Sequence, residues 1–146
     1  MAQDFSHMQN MGRIEEELMK IERYDCKTGN IETVNGPYRI MFKDEYCIPE
    51  GKFSGTPAIC DHSSKTIVLY RMVWEDPLSW SMPLILHEVG HANDPEARSI
   101  KRLIMSLLFR SIYRKRIEEK VERFAENYAD KKFRELQILW SKEDKR

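Results

Sequence analysis

The fold is decided by the stretch Met82-Pro83-Leu84-Ile85-Leu86-His87-Glu88-Val89-Gly90-His91-Ala92. His87 and His91 stand four residues apart, so on a helix they lie on one face. Apolar residues fill much of the remainder, which is typical of a helix in the centre of a domain. Pro83 suits a first helical turn. We therefore predict a buried helix over about 82–93, ended by the Asp-Pro pair that follows.

Two imidazoles on one helix face are a common platform for zinc, and Glu88 projects beside them. Zinc held by His87, His91 and a third protein ligand keeps one position for water and lowers the pKa of that water toward about 7. Glu88 can act as general base while the water attacks a carbonyl. The alternative is two histidines that meet without a metal, but a buried unpaired histidine is energetically costly. The motif predicts a hydrolase with Zn²⁺ as its cofactor.

Composition narrows the class of protein. The chain has 146 residues, the length of a single domain with its own core. Basic and acidic residues balance at 24 each, so overall charge does not favour a nucleic acid or an anionic membrane as partner. Its three cysteines, an odd number without CxxC spacing, are typical of free thiols in a reducing compartment. We expect a cytoplasmic protein with neither a secretory signal nor a transmembrane segment.

The remaining sequence predicts an α+β fold in one domain over 1–146. Apolar residues at helical spacing predict an N-terminal helix over about 12–24. The region from about 31 to 71 alternates turn residues with β-prone runs at 38–42, 57–60 and 66–70. We expect these runs to form a small twisted sheet of about three strands, the last two as a hairpin, packed on the helix of the histidine motif.

Helices should complete the C-terminal part of the chain. No Gly or Pro follows Pro95, and helix formers predominate, so we predict C-terminal helices over about 95–140 with a turn near 113–116. The C-terminal tail over 138–146 is a candidate for folding into the cleft and keeping the protein latent.

The third zinc ligand is sought on the last of these helices, in the segment 122–130. Glu126 is the candidate, because Asp130 lies one turn further on and can accept a hydrogen bond from a ligand imidazole. Glu122 and Glu119 can share that helix face, so the ligand can shift by a turn. Glu126 is preferred since only it has an aspartate at the following fourth position. Without a metal, these acids would be a solvated helix face paired with neighbouring Lys and Arg.

The combination of HEVGH with Glu126-Asn127-Tyr128-Ala129-Asp130 resembles the gluzincin metallopeptidases, in which HExxH is followed by a helix carrying Glu-x-x-Ala-Asp. The layout over about 56–134 looks like the compact ImmA/IrrE-type members and the single-domain minigluzincins. The resemblance implies a zincin-like fold and a zinc metallopeptidase, an endopeptidase acting on a protein or peptide substrate. It also implies that Ala58, Ile59 and Cys60 belong to an edge strand that aligns the substrate by backbone pairing.

Two matters stay open on the sequence alone. Residues 98–116 contain seven basic residues and no acid. This basic segment favours the alternative function, a catalytically silent regulatory module of zincin fold that binds nucleic acid, a membrane or a protein through a helix at 98–116. A packed helix that pairs with acidic neighbours is the simpler interpretation, and we do not expect nucleic acid as the partner. The group that stabilises the oxyanion is also unassigned, with His62, Tyr113 and Tyr128 as candidates.

Overall fold

The computed structural model describes residues 5–51, 54–97 and 112–144, and these form an α+β fold. The helices are α1 (Phe5–Ile21), α2 (Arg71–Trp74), α3 (Leu78–Ala92) and α4 (Ile112–Asp144). The strands are β1 (Tyr24–Asp25), β2 (Asn30–Thr33), β3 (Gly36–Phe42), β4 (Ala58–Asp61) and β5 (Thr66–Leu69). None of the described helices is long and apolar enough to cross a membrane.

The strands form one mixed sheet in the order β1-β2-β3-β5-β4. β3 and β5 run parallel, and the other neighbouring pairs are antiparallel. The predicted runs at 38–42, 57–60 and 66–70 correspond to β3, β4 and β5, and the predicted hairpin joins β4 to β5. The expected number of about three strands is wrong, because β1 and β2 extend the sheet. Among the described strands, β4 stands at one edge of the sheet, next to β5.

One hydrophobic core lies between the sheet and the helices. Tyr38 and Ile40 of β3 and Ile67 and Leu69 of β5 alternate along their strands and enter this core. The helices contribute further fully buried side chains: Ile14, Leu18, Met82, Ile85, Leu86, Val89 and Leu136. Burying each such side chain contributes about 1.5–3 kcal/mol before the entropy of ordering the chain is subtracted. The core therefore fixes α3 against the sheet.

The helix of the histidine motif begins earlier than its sequence predicts. α3 starts at Leu78, where the Pro77 carbonyl accepts from the N–H groups of Trp80 (2.9 Å) and Ser81 (3.0 Å). Pro83 therefore lies inside the helix, not in its first turn. A proline there has no N–H for the carbonyl of Ser79, but Ser79 is exposed and water can take that place. The fixed φ of Pro77 makes it the actual start signal.

The other helices also differ from their predicted limits. α1 begins at Phe5 and ends at Ile21, some residues before the predicted 12–24. α4 is continuous from Ile112, so the predicted turn near 113–116 is wrong. That segment contains no Gly or Pro, and its Tyr, Arg and Lys residues all tolerate a helix interior. Residues 98–111, most of the predicted basic helix, lie outside the described residues.

The end of α4 packs against α1. Trp140 Nε1 donates to Glu17 Oε2 at 2.9 Å, and Lys20 Nζ lies 2.8 Å from Glu143 Oε1. At 1.5 Å per residue, Trp140 lies about 27 Å along the helix from Glu122. The expectation that this tail enters the cleft is therefore wrong for residues 138–144, because the α1 contacts hold them elsewhere.

Candidate metal centre

α3 brings the three polar residues of its motif together. The ligand atoms of His87, Glu88 and His91 all lie within 4.8 Å of one another. The two imidazole rings meet edge to face, with centroids 4.7 Å apart. Asn35 Nδ2 secures the end of the helix by donating to the Ala92 carbonyl at 2.9 Å. The spacing of four residues has the predicted effect of placing both rings on one helix face.

A carboxylate from α4 completes the cluster. Glu122 Oε2 lies 3.0 Å from His87 Nε2, and Glu122 Oε1 lies 3.2 Å from His91 Nε2. Ligands bound at about 2.0–2.1 Å around a tetrahedral zinc ion are about 3.3 Å from one another. The two nitrogen–oxygen distances are therefore close to the spacing of neighbouring ligands around one zinc ion, and the donor set fits this metal.

The predicted third ligand was Glu126, with Asp130 behind it. Both side chains are exposed on α4, and the carboxylate that contacts both imidazoles is that of Glu122, one turn earlier. The geometry thus favours the alternative ligand that the sequence left open. The acid next to the end of α3 is Asp94, which is only 3% exposed. The Glu-x-x-Ala-Asp motif, which was the reason to prefer Glu126, does not show which glutamate of α4 faces the histidines.

Burial sets the protonation of the site. It lowers the pKa of His91, an effect that the charge of Glu122 only partly offsets. A neutral imidazole is the form that binds a metal. Burial, reinforced by the charge of Glu122, raises the pKa of Glu88 to about 8, although a hydrogen bond from the backbone N–H of Cys60 opposes this rise. Glu88 is therefore a stronger base than an exposed glutamate.

Gly90, the fourth residue of HEVGH, has a role that sequence analysis missed. A Cβ built on Gly90 would lie 2.9 Å from the Ala125 carbonyl oxygen and 3.1 Å from Tyr128 Cβ. The helices α3 and α4 therefore approach too closely here for any larger residue. The sequence feature that could have indicated this contact is a glycine inside a predicted helix, where glycine lowers stability by about 0.5–1 kcal/mol relative to alanine.

The edge strand β4 passes beside this cluster. The Tyr70 N–H donates to the Pro57 carbonyl at 3.0 Å, so these two residues form a hydrogen-bonded pair between β4 and β5. Because such pairs alternate along an antiparallel ladder, Ala58–Leu69 and Cys60–Ile67 are non-hydrogen-bonded pairs. The backbone N–H and C=O groups of Ala58 and Cys60 therefore point to the open edge of the sheet. Those of Ile59 pair with Val68 instead. Burial and the nearby Glu88 raise the pKa of the Cys60 thiol to about 12, so this thiol stays neutral.

Two of the candidates for the oxyanion-stabilising group can be placed. The Tyr128 hydroxyl donates to Glu22 Oε1 and accepts from Asn93 Nδ2, so it ties α4 to α1 and to the end of α3. His62 lies in the β4–β5 turn, with its Nδ1 2.8 Å from the Tyr38 hydroxyl. The side chain of Tyr113 lies outside the described residues.

The site thus combines two histidines and a partly buried glutamate of α3, a carboxylate of α4 and the edge of β4. The imidazole nitrogens and carboxylate oxygens are the atoms of this site that could bind a metal ion. Comparison with protein-family models, with curated proteins and with solved structures finds no match for this chain.

Proposed function

We propose that this chain is a zinc-dependent peptidase whose ion is held by His87, His91 and Glu122. The supporting observation is that one carboxylate lies 3.0 and 3.2 Å from the two Nε2 atoms. Two imidazoles and one carboxylate are a common ligand set of catalytic zinc, in which one position stays open for chemistry. The proposal agrees with the gluzincin resemblance in its zincin-like arrangement but assigns the third ligand one turn earlier.

Glu88 performs the proton transfers of the proposed reaction. Bound zinc supplies Lewis acidity and makes a water molecule nucleophilic near neutral pH. Glu88 lies beside both histidines, and the burial that raises its pKa makes its ionised carboxylate a stronger base than that of an exposed glutamate. The proton that Glu88 removes from the attacking water is the one that the leaving amine requires. A general base of this kind contributes about 10²–10⁴-fold to the rate.

The edge of β4 suggests how a substrate is held. An extended peptide can add to the sheet by pairing with the backbone groups of Ala58 and with the Cys60 carbonyl, which point away from β5. The Cys60 N–H also bonds to Glu88, so a peptide on this edge lies beside the proton acceptor. Backbone pairing does not require a free chain end. We therefore propose an endopeptidase that acts on protein or peptide segments in extended conformation.

The Glu88→Gln variant tests this function. The protein is loaded with zinc, and hydrolysis of fluorescently labelled casein is measured together with zinc per chain. We expect zinc content to stay unchanged and hydrolysis to fall by about 10²–10⁴-fold, because glutamine cannot accept the proton. Glu16→Gln, on the exposed face of α1, is the matched control and should match wild type. Full hydrolysis by zinc-loaded Glu88→Gln protein would contradict the mechanism.

A further inference from the structure

Three apolar side chains form a row across the face of the sheet that is opposite the core. Val68 of β5 is in register with Met41 of β3 on one side and with Ile59 of β4 on the other. Side chains alternate between the two faces of a strand, and the residues before and after each of these three pack in the core. A groove of about 590 Å³ is lined by all three side chains. The outer face of the sheet therefore has an apolar row that ends at β4.

The end of this row coincides with an edge of the sheet. Among the described strands, β4 is the last in the order, so Ile59 has β5 on one side and an open edge on the other. An extended peptide added there would place the side chain opposite Ile59 on the outer face, because paired residues share a face. Since the backbone of Ile59 pairs with Val68, an antiparallel peptide would form a non-hydrogen-bonded pair with it, in which side chains approach closely.

A negative charge lies beside the row on the same strand. Asp61 follows Ile59 by two residues, so both side chains are on the outer face. The Asp61 carboxylate accepts from the Ser63 hydroxyl at 2.7 Å and from the Ser63 N–H at 3.0 Å. Hydrogen bonds from the side chains of Ser63 and Ser64 lower the pKa of Asp61, so this exposed carboxylate is ionised at neutral pH. A cationic side chain opposite Asp61 is favoured, and an anionic one is disfavoured.

We propose that β4 selects an extended substrate segment with a large apolar side chain opposite Ile59 and a Lys or Arg two residues away, opposite Asp61. The apolar side chain extends the row of Met41, Val68 and Ile59 to a fourth strand. Ile59 and Asp61 are then specificity-determining residues. This inference rests on the proposed function, to which it adds the chemistry of the substrate.

The test measures peptide binding to the zinc-loaded full chain by NMR titration, which follows the backbone amide signals of residues 58–61. The Glu88→Gln variant is used so that the peptides are not cut. The probe is acetylated and amidated Lys-Thr-Ile-Thr-Lys, whose spacing is the same whether it runs parallel or antiparallel to β4. We expect binding to weaken by about 2–5-fold when its isoleucine is replaced by serine, and again by about 2–5-fold when both lysines are replaced by glutamate.

Substitutions in the same Glu88→Gln protein assign the two preferences to single residues. Asp61→Asn removes the charge but keeps an oxygen that accepts from the turn, so the preference for lysine over glutamate should disappear. Ile59→Ala should reduce the preference for isoleucine over serine. The matched controls are Ile138→Ala and Asp144→Asn, at exposed positions near the end of α4, and both should keep the two preferences.

Two results would overturn the inference. One is that the peptides leave the β4 signals unchanged or bind without either preference. The other is a wild-type dimer that Ile59→Ala converts to a monomer, because a second copy of this chain would then occupy the edge.

The failure of this inference can be told from the failure of the proposed function. If both peptide preferences are found but the wild type binds no zinc or does not cleave casein, the proposed function is contradicted, and selective recognition by β4 remains. If the wild type cleaves casein but neither preference is found, only the inference about Ile59 and Asp61 is contradicted.

Discussion

Gly90 of α3 lies directly against Ala125 of α4, so closely that a Cβ on Gly90 would be 2.9 Å from the Ala125 carbonyl oxygen and 3.0 Å from its Cα. Glu122 stands one turn before Ala125 on the same helix, and its carboxylate reaches His87 and His91. The close contact of the two backbones therefore sets the distance across which the candidate metal site is built.

Replacing Gly90 by alanine should destabilise the fold. The added methyl meets backbone atoms, which cannot move aside as a flexible side chain can, so α3 and α4 must separate. We expect a loss of about 1–3 kcal/mol in the free energy of unfolding, more than the gain of up to about 1 kcal/mol in helix propensity. Urea denaturation measures this change, and chelator competition should reveal weaker zinc binding.

Gly12→Ala is the matched control. Gly12 is exposed on α1, and a Cβ there meets no atom within 4 Å. The same chemical change should therefore stabilise the protein by about 0.5–1 kcal/mol. If Gly90→Ala protein were as stable as Gly12→Ala protein, the helix contact would not be as tight as described.

Glu22 should make stability depend on pH. Burial raises its pKa above the ordinary value of 4.5, and the hydrogen bond from Tyr128 only partly opposes this rise. The folded state then holds the proton more tightly than the unfolded state. The resulting stabilisation is fully present below 4.5 and is lost as pH rises through the folded pKa. The contribution of Glu22 to the stability of the wild type thus decreases as pH rises above about 4.5.

Glu22→Gln removes that dependence while it keeps an oxygen that accepts from Tyr128. The variant should gain in Tm relative to wild type at pH 7, and the gain should shrink as pH approaches 4.5. Glu16→Gln, exposed on the same helix, should give a constant difference from wild type. A gain for Glu22→Gln that grew toward low pH would contradict the assigned direction of the shift.

Trp140→Phe should loosen the contact between α1 and α4. Trp140 Nε1 donates to Glu17, a carboxylate that is only 6% exposed. Loss of that donor leaves a buried charge with one partner fewer, so we expect a cost of about 1–3 kcal/mol in urea denaturation. Trp80→Phe is the control, since Trp80 is 72% exposed and its change should stay within about 0.5 kcal/mol. If the two substitutions changed the free energy of unfolding equally, the hydrogen bond from Trp140 to Glu17 would not stabilise the contact between α1 and α4.

Local patterns predicted part of this structure. Residues close together in the sequence predict that His87 and His91 share one helix face. They also predict the β-prone runs that correspond to β3, β4 and β5. β1 and β2 were missed because Tyr24–Asp25 and Asn30–Thr33 are short and largely polar, and they gain their structure by pairing with each other and with β3. The predicted start of α3 is too late because Pro83 was assigned to the first helical turn. In the structure Pro77 immediately precedes the helix, and Pro83 lies inside it.

The proposed third zinc ligand shows where short sequence motifs are no longer sufficient for prediction. Glu122 and Glu126 lie one turn apart on α4, and each is followed three residues later by an alanine. Which one faces His87 depends on how α4 crosses α3, and that crossing depends on Gly90 meeting Ala125. Contacts between helices over thirty residues apart are not encoded in any short motif.

The most direct test of the account is zinc per chain in wild type, Glu122→Ala and Glu126→Ala, measured by elemental analysis after dialysis against a weak chelator. Both substitutions remove an exposed glutamate from the same helix, so they are matched in chemistry and setting. The account predicts about one zinc in wild type and in Glu126→Ala, and little in Glu122→Ala. Zinc retained by Glu122→Ala, or absent from wild type, would contradict it.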